Sequence, residues 1–132
     1  MDLKIKHPFF TIKKCMYWRW LFAINDIKKG TIIEISPIIP IPLNETKALY
    51  KTKLIHYSFY IDRNIWQECI CLGYWSLFNH SKNNNIETIR DKNNLTISFK
   101  TTKNIKKYDQ LFIDYWYNID ELELELINNK NL

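Results

Sequence analysis

Glycine is nearly absent: the chain of 132 residues holds 2. Glycine takes left-handed backbone without strain, so most turns must be made by other residues, and asparagine, abundant here, is the expected substitute. Cysteine is scarce too, with Cys15, Cys69 and Cys71 alone. An odd number without paired spacing excludes a disulfide framework and suits a reducing compartment. The lack of any C-x-x-C pair removes the usual structural zinc site. Cys69 and Cys71 stand two apart in an apolar run, so in a strand they share a face and read as small core residues. No apolar run reaches membrane-spanning length, and MDLKIKHPFF lacks the apolar stretch of a signal peptide. The expectation is a soluble intracellular protein, nuclear or cytoplasmic, with no metal and no membrane attachment.

What is present is unusually aromatic. Phe, Trp and Tyr make up 15% of the chain within an ordinary apolar fraction of 46%, enough for one domain with its own core. The formal net charge of +5 permits an acidic partner without demanding one, because the Lys and Arg residues are scattered along the chain. A small basic β-domain that stacks single-stranded nucleic acid on exposed Trp and Tyr therefore stays open as a minor alternative.

Residues 9–12 and 17–22 are rich in β-branched and aromatic side chains and read as strands. Residues 26–30, DIKKG, form a turn whose Gly30 takes a positive φ. A strand over 31–36 follows, and the IPIPL segment at 39–43 is excluded as a central strand because proline lacks the amide donor. Residues 44–55 read as a short helix with Leu49, and in one reading Leu54, on the buried side. Tyr57, Phe59 and Ile61 alternate as in a half-buried strand, and 66–72 form another. Residues 86–90 and 95–101 flank a polar turn at 91–94 and make a β-hairpin. The leucine–glutamate tail, IDELELELINNKNL, alternates like a strand although its residues are also good helix formers.

Two blocks carry candidate chemistry. LGYWSLFNHS, residues 72–81, is an apolar run that stops at Asn79, His80 and Ser81; LFIDYWY, residues 111–117, is another that closes on Asp114 and Tyr115. Singly, such polar residues are ordinary caps and turns. Together they resemble the L-G-x-x-S-x-x-N-H-S and D-Y motifs of SET-domain protein-lysine methyltransferases. LFAINDIKKGTIIE, residues 21–34, resembles the first block of the same family through Phe22, Ala23, Asp26, Ile27, Gly30, Ile33 and Glu34.

That resemblance implies a mainly β SET-domain fold: several short sheets, few short helices, and a knot-like crossing of the NHS and DY segments. Residues 1–132 are expected to form a single SET domain, with core motifs at about 17–117 and a short extension at 118–132 without zinc-binding cysteines. The implied activity is S-adenosylmethionine (AdoMet)-dependent N-methylation of lysine in a histone or another protein. Tyr115 is implied as the catalytic residue, with Asn79, His80 and Tyr115 at the cofactor and Tyr57 and Tyr74 as walls of the lysine channel. Asn85 fills the asparagine of the family's P-N pair, with Asn84 in place of proline. Compact SET proteins of large DNA viruses and microbes are similar in their minimal length and can act as dimers, so a homodimer is an implied possibility.

The chain departs from the family at two turns. Trp18, Arg19 and Trp20 occupy the place of a G-x-G whose backbone lies against the methionine part of AdoMet, and Tyr108, Asp109 and Gln110 replace G-E-E. Alternate strand residues share a face. Trp18 and Trp20 could both turn away while their backbone still meets the cofactor, or both turn inward and leave an inactive SET-like binding module.

Overall fold

The computed structural model describes residues 5–16 and 18–114. The expectations for Tyr17, Tyr115 and the 118–132 tail lie outside these residues. The strands are β1 (Phe10–Cys15), β2 (Trp18–Ala23), β3 (Ile32–Pro40), β4 (Ser58–Asp62), β5 (Gln67–Cys71), β6 (Asn79–His80), β7 (Ile86–Asp91), β8 (Thr96–Thr101) and β9 (Phe112–Ile113). The single α-helix among the described residues, α1 (Thr46–Tyr50), lies between 3₁₀ turns at Leu43–Glu45 and Lys53–Tyr57. Three sheets result: the hairpin β1-β2, the five strands β4-β5-β3-β8-β7, and the pair β6-β9. This is a mainly β architecture of short sheets, as the sequence implied.

The described residues fall into two groups, 5–35 with 76–89 and 98–114, and 36–75 with 90–97. In the first, β1 and β2 pair antiparallel from Phe10↔Ala23 to Cys15↔Trp18. Alternation follows the pattern of side chains: Phe10, Ile12, Leu21 and Ala23 are buried and face the core, while Lys13, Trp18, Trp20 and Phe22 occupy the other face. Phe78 closes this core, edge-on to Phe10 at 6.1 Å and stacked on Phe99 at 4.6 Å between ring centroids. Ile86, Leu111 and Ile113 complete it without any exposure.

In the second group, β5 lies between β4 and the end of β3, with Ile38 opposite Cys71 and Tyr60 opposite Glu68. Phe59 stacks on Trp75 at 5.1 Å. Leu49 on α1 is buried, whereas Leu54 is exposed because the helix has already ended and given way to the 3₁₀ turn.

Two expectations about backbone are corrected. The IPIPL segment was excluded from a central strand, yet Ile39 and Pro40 are the last residues of β3, which has neighbours on both sides. Ile38 donates to Leu95 O and Ile41 to Glu68 O, Pro37 O accepts from the amide of Leu72, one residue past the end of β5, and β8 begins only after Leu95. Each proline thus sets its missing donor where the adjacent strand has ended. The left-handed positions among the described residues, in turn, are not taken by asparagine. Gly30 (φ 84°) and Gly73 (φ 85°) are joined by Met16, Trp66, Leu95 and Tyr108, with φ from 32° to 75°. Asparagine instead braces turns through its side chain, as where the Asn94 amide and side chain both donate to Asp91.

No helix among the described residues is long and apolar enough to cross a membrane.

Candidate functional site

The apolar run before residue 79 has a mechanical purpose. Phe78 is locked among Phe10 and Phe99, so the next residues leave the core at a fixed place. There Asn79 and His80 form β6 and pair in parallel with Phe112 and Ile113 of β9. Ser81 N donates to Ile113 O at 3.0 Å and extends the pairing by one residue. Parallel neighbours cannot be joined by a tight turn, so the two motif blocks meet only because the chain between them, residues 82–111, returns through β7 and β8.

Asn85 fastens the junction. Its Nδ2 donates to Gln110 O (2.9 Å), its Oδ1 accepts from Phe112 N (2.8 Å), and its own amide donates to Phe112 O (3.2 Å). Directly behind, Leu111 N donates to Leu21 O and Ala23 N to Asp109 O. Residues 109–113 therefore run between β2 on one side and the NHS segment on the other.

The polar groups at this junction are specific. Asn79 Oδ1 accepts from His80 N at 2.8 Å. An amide oxygen committed to a backbone donor fixes the flip of the side chain, so Nδ2 must point the other way. Among the described residues that Nδ2 donates to nothing. His80 Nδ1 stands 3.7 Å from Asp114 Oδ1, and Asp114 is buried. The half-buried Asn79 therefore offers an unused amide donor beside an imidazole–carboxylate pair. This donor set fits a ligand with a carboxylate and a polar heterocycle, which AdoMet carries.

Trp18 and Trp20 lie on the face of β2 opposite Leu21 and Ala23, their rings 6.4 Å apart. Neither indole enters the apolar core: Trp18 is 36% exposed and Trp20 half-buried. Arg19 lies over the Trp18 ring at 5.9 Å. The β2 segment, residues 79–80 and residues 109–114 are thus drawn together by backbone bonds. Tyr57, at the end of a 3₁₀ turn, and Tyr74, after Gly73, are half-buried members of the other group. Tyr115 lies outside the described residues, one position beyond Asp114.

Three features had escaped the sequence. The two side-chain hydrogen bonds of Asn85 and the pairing of His80 with Asp114 join residues far apart in the chain, and Gln110 Nε2 is buried without a hydrogen-bond partner. No local pattern signals a partner 25 or more positions away. His7 stacks on Phe10 at 3.6 Å, accepts from Phe9 N at Nδ1, and faces Glu34 through Nε2 at 3.4 Å. A ring nitrogen that accepts carries no proton, so the neutral ring holds its proton on Nε2, the nitrogen that faces Glu34. Burial lowers the pKa of His7 and raises that of Glu34.

The SET domain family model matches residues 19–116. The chain belongs to the SET-domain family. This SET chain is 33% identical over 101 residues to the histone-lysine N-methyltransferase, H3 lysine-37 specific, of Schizosaccharomyces pombe, covering 74% of the chain and 65% of that relative's length. Among solved structures it resembles a Plasmodium falciparum protein provisionally described as a histone methyltransferase, with TM-score 0.63 and 28% identity, covering 84% of this chain and 95% of that one. It also resembles CpSET8 from Cryptosporidium, with TM-score 0.65 and 26% identity, over 80% of this chain and 56% of that one. The SET fold read from the motif blocks is thereby confirmed.

Proposed function

We propose that this SET protein is an AdoMet-dependent protein-lysine N-methyltransferase, the whole chain acting as one SET domain. The observation that carries the proposal is the parallel pair of β6 and β9, which sets the uncommitted Asn79 Nδ2 beside His80 and Asp114. When bound, AdoMet supplies a sulfonium methyl group to a neutral lysine amine in an in-line displacement, and the amine then gives up one proton. The protein's part is alignment, a neutral amine and exclusion of water.

Asn79 Nδ2 donates to the carboxylate of the cofactor's amino acid part, and the backbone at His80 meets the adenine. The backbone of Trp18, Arg19 and Trp20 lies along the methionine part. Their exposed-side rings support this reading, since both tryptophans leave the core face of β2 to Leu21 and Ala23. Tyr115 orients the lysine amine through its hydroxyl and favours its neutral form. Tyr57 and Tyr74 wall the lysine channel, where aromatic faces attract a cationic side chain. The substrate is a lysine-bearing, histone-like protein.

Isothermal titration with AdoMet and with its demethylated product tests the cofactor site. Binding in the micromolar range, about −8 kcal/mol, is expected. Transfer of label from AdoMet to histone should then occur, and be lost in Asn79→Ala and Tyr115→Phe. Labelling that survives both substitutions removes the residue assignment. No heat from folded protein transfers the reading to a SET-shaped binding module in which Trp18 and Trp20 fill the cofactor's place.

A further inference from the structure

The positive charge of this protein is not evenly placed. The described residues of the first group carry eleven Lys and Arg against five Asp and Glu; those of the second carry six against four. Within the first group Lys13 stands on the outer face of the β1-β2 hairpin with Trp18, Trp20 and Phe22, Arg19 starts from the opposite face at the end of β2, and Lys106 and Lys107 stand on the 105–108 loop, which is tied to β2 by Tyr108 N donating to Ala23 O.

How those cations are held matters more than their number. Lys13 Nζ lies over two rings, Phe22 at 5.4 Å and Tyr108 at 5.3 Å. Lys107 Nζ lies over Tyr108 at 5.0 Å, and Arg19 over Trp18 at 5.9 Å. Among the described residues none of Lys13, Arg19 and Lys107 makes an ion pair with a carboxylate. An aromatic face orders an ammonium group without cancelling its charge, whereas a salt bridge cancels it. Lys92 in the second group shows the contrast, since it is paired with Asp62 at 3.1 Å. Asp26 Oδ1 accepts from Lys107 N and Asp109 Oδ2 from Lys106 N, so these two carboxylates are held by the loop backbone and not by the lysine side chains.

We propose that this face, the outer side of the β1-β2 hairpin with the 105–108 loop, binds the phosphate backbone of nucleic acid. Ordered, uncancelled cations match a polyanion, whose binding is driven by release of its counterions. Tyr108 is 64% exposed and Trp18 36%, so the rings that hold the cations also offer flat surface to an unstacked base. An acidic peptide would find the charge but no use for the rings. The surface acts without AdoMet, so its test is separate from that of methyl transfer.

Fluorescence anisotropy of the full chain with a short labelled DNA duplex and single strand, without AdoMet, decides it. Affinity should fall linearly with salt on logarithmic axes between about 50 and 200 mM, by about 0.9 per phosphate contact on the duplex. The double variant Lys13→Gln/Lys107→Gln should flatten that slope by about two and weaken binding on the order of tenfold at low salt. Lys47→Gln/Lys51→Gln removes the same charge from the second group and should leave the slope unchanged. Should Lys13→Gln perturb folding, as seen by circular dichroism, Lys107→Gln alone should still flatten the slope by about one. The proposal is overturned by no binding at low salt, by equal losses in the two double variants, or by poly-glutamate being held as tightly as DNA.

Discussion

The two groups of residues treat burial in opposite ways. In the first, Phe10, Phe78 and Phe99 pack ring against ring with Leu21, Leu111 and Ile113, all without exposure. Its buried Thr101 is fully used, as its Oγ1 donates to Lys28 O and accepts from Thr31 N. In the second, the buried set includes Glu68, Ser36 and Cys69, and both Ser36 Oγ and Glu68 Oε2 lack a hydrogen-bond partner. Burial pushes the Cys69 thiol up to about 12, and the hydrogen bond with Tyr50 is the main cause that takes Tyr60 up to about 12. Large apolar side chains are exposed in both groups, among them Met16 and Tyr108 in the first and Leu54 and Trp66 in the second. The group that carries the NHS and β2 segments is thus built on a dry core, as a site requiring fixed geometry needs. The other group buries the Glu68 carboxylate and the Ser36 hydroxyl with oxygens left without partners, whereas the first leaves Gln110 Nε2 so.

The largest break of this contrast is at Phe78. Phe78→Ala removes a ring packed between two others and leaves a cavity, for which a loss of about 3–5 kcal/mol is expected from urea denaturation. Phe59→Ala, at a half-buried ring of the second group stacked on Trp75, should cost clearly less. Equal losses would show that the dry core is not what distinguishes the two.

Next in size is Asn85→Ala. It strands Phe112 N and Gln110 O in a half-buried place, and each lost partner costs about 1–3 kcal/mol. The expected signature is lower stability together with loss of AdoMet affinity, because β9 is released from the NHS segment. A variant that loses stability while retaining full cofactor affinity would separate the junction from the proposed site.

How much of this was legible in the sequence follows from the range of each interaction. Alternation put Trp18 and Trp20 on one face, because period two is a local property, but left open whether that face turns away or inward. The polar turn at 91–94 and the positive φ of Gly30 were legible for the same reason. The motif blocks named Asn79, His80 and Asp114, but the flip of the Asn79 amide needed coordinates, since it depends on which backbone group its oxygen meets. Pro40 misled because the rule against proline in central strands concerns a missing donor, and whether that donor is needed depends on where the neighbouring strand ends. The left-handed residues Met16, Trp66, Leu95 and Tyr108 carry no local sign at all. Their strain is sustained by bonds made elsewhere, such as Tyr108 N to Ala23 O.

The smallest effect is also the sharpest test, because its sign differs between the groups. Glu68 accepts from Ser58 Oγ at Oε1 (3.2 Å), but burial dominates and raises its pKa. The folded state therefore holds the Glu68 proton more tightly than the unfolded chain does. The stability this gives is present below the ordinary glutamate value, about 4.3, and is lost as pH rises through the folded value. At neutral pH the fold carries a buried carboxylate whose Oε2 lacks a partner. Glu68→Gln retains an acceptor for Ser58 and removes the charge, so it should raise the denaturation midpoint at neutral pH, with the gain shrinking as pH falls toward about 4. His7 in the first group runs the other way: burial lowers its pKa, so its contribution is lost as pH falls through about 6.5, the value of the unfolded chain. The Glu34 it faces has a raised pKa and offsets part of that loss at lower pH. Denaturation midpoints of the parent, Glu68→Gln and His7→Gln chains from about pH 4 to 8 would display both signs. A Glu68→Gln chain less stable than the parent at neutral pH would mean that a cation stabilises the Glu68 carboxylate, and the contrast between a dry group and a polar one would have to be redrawn around that pair.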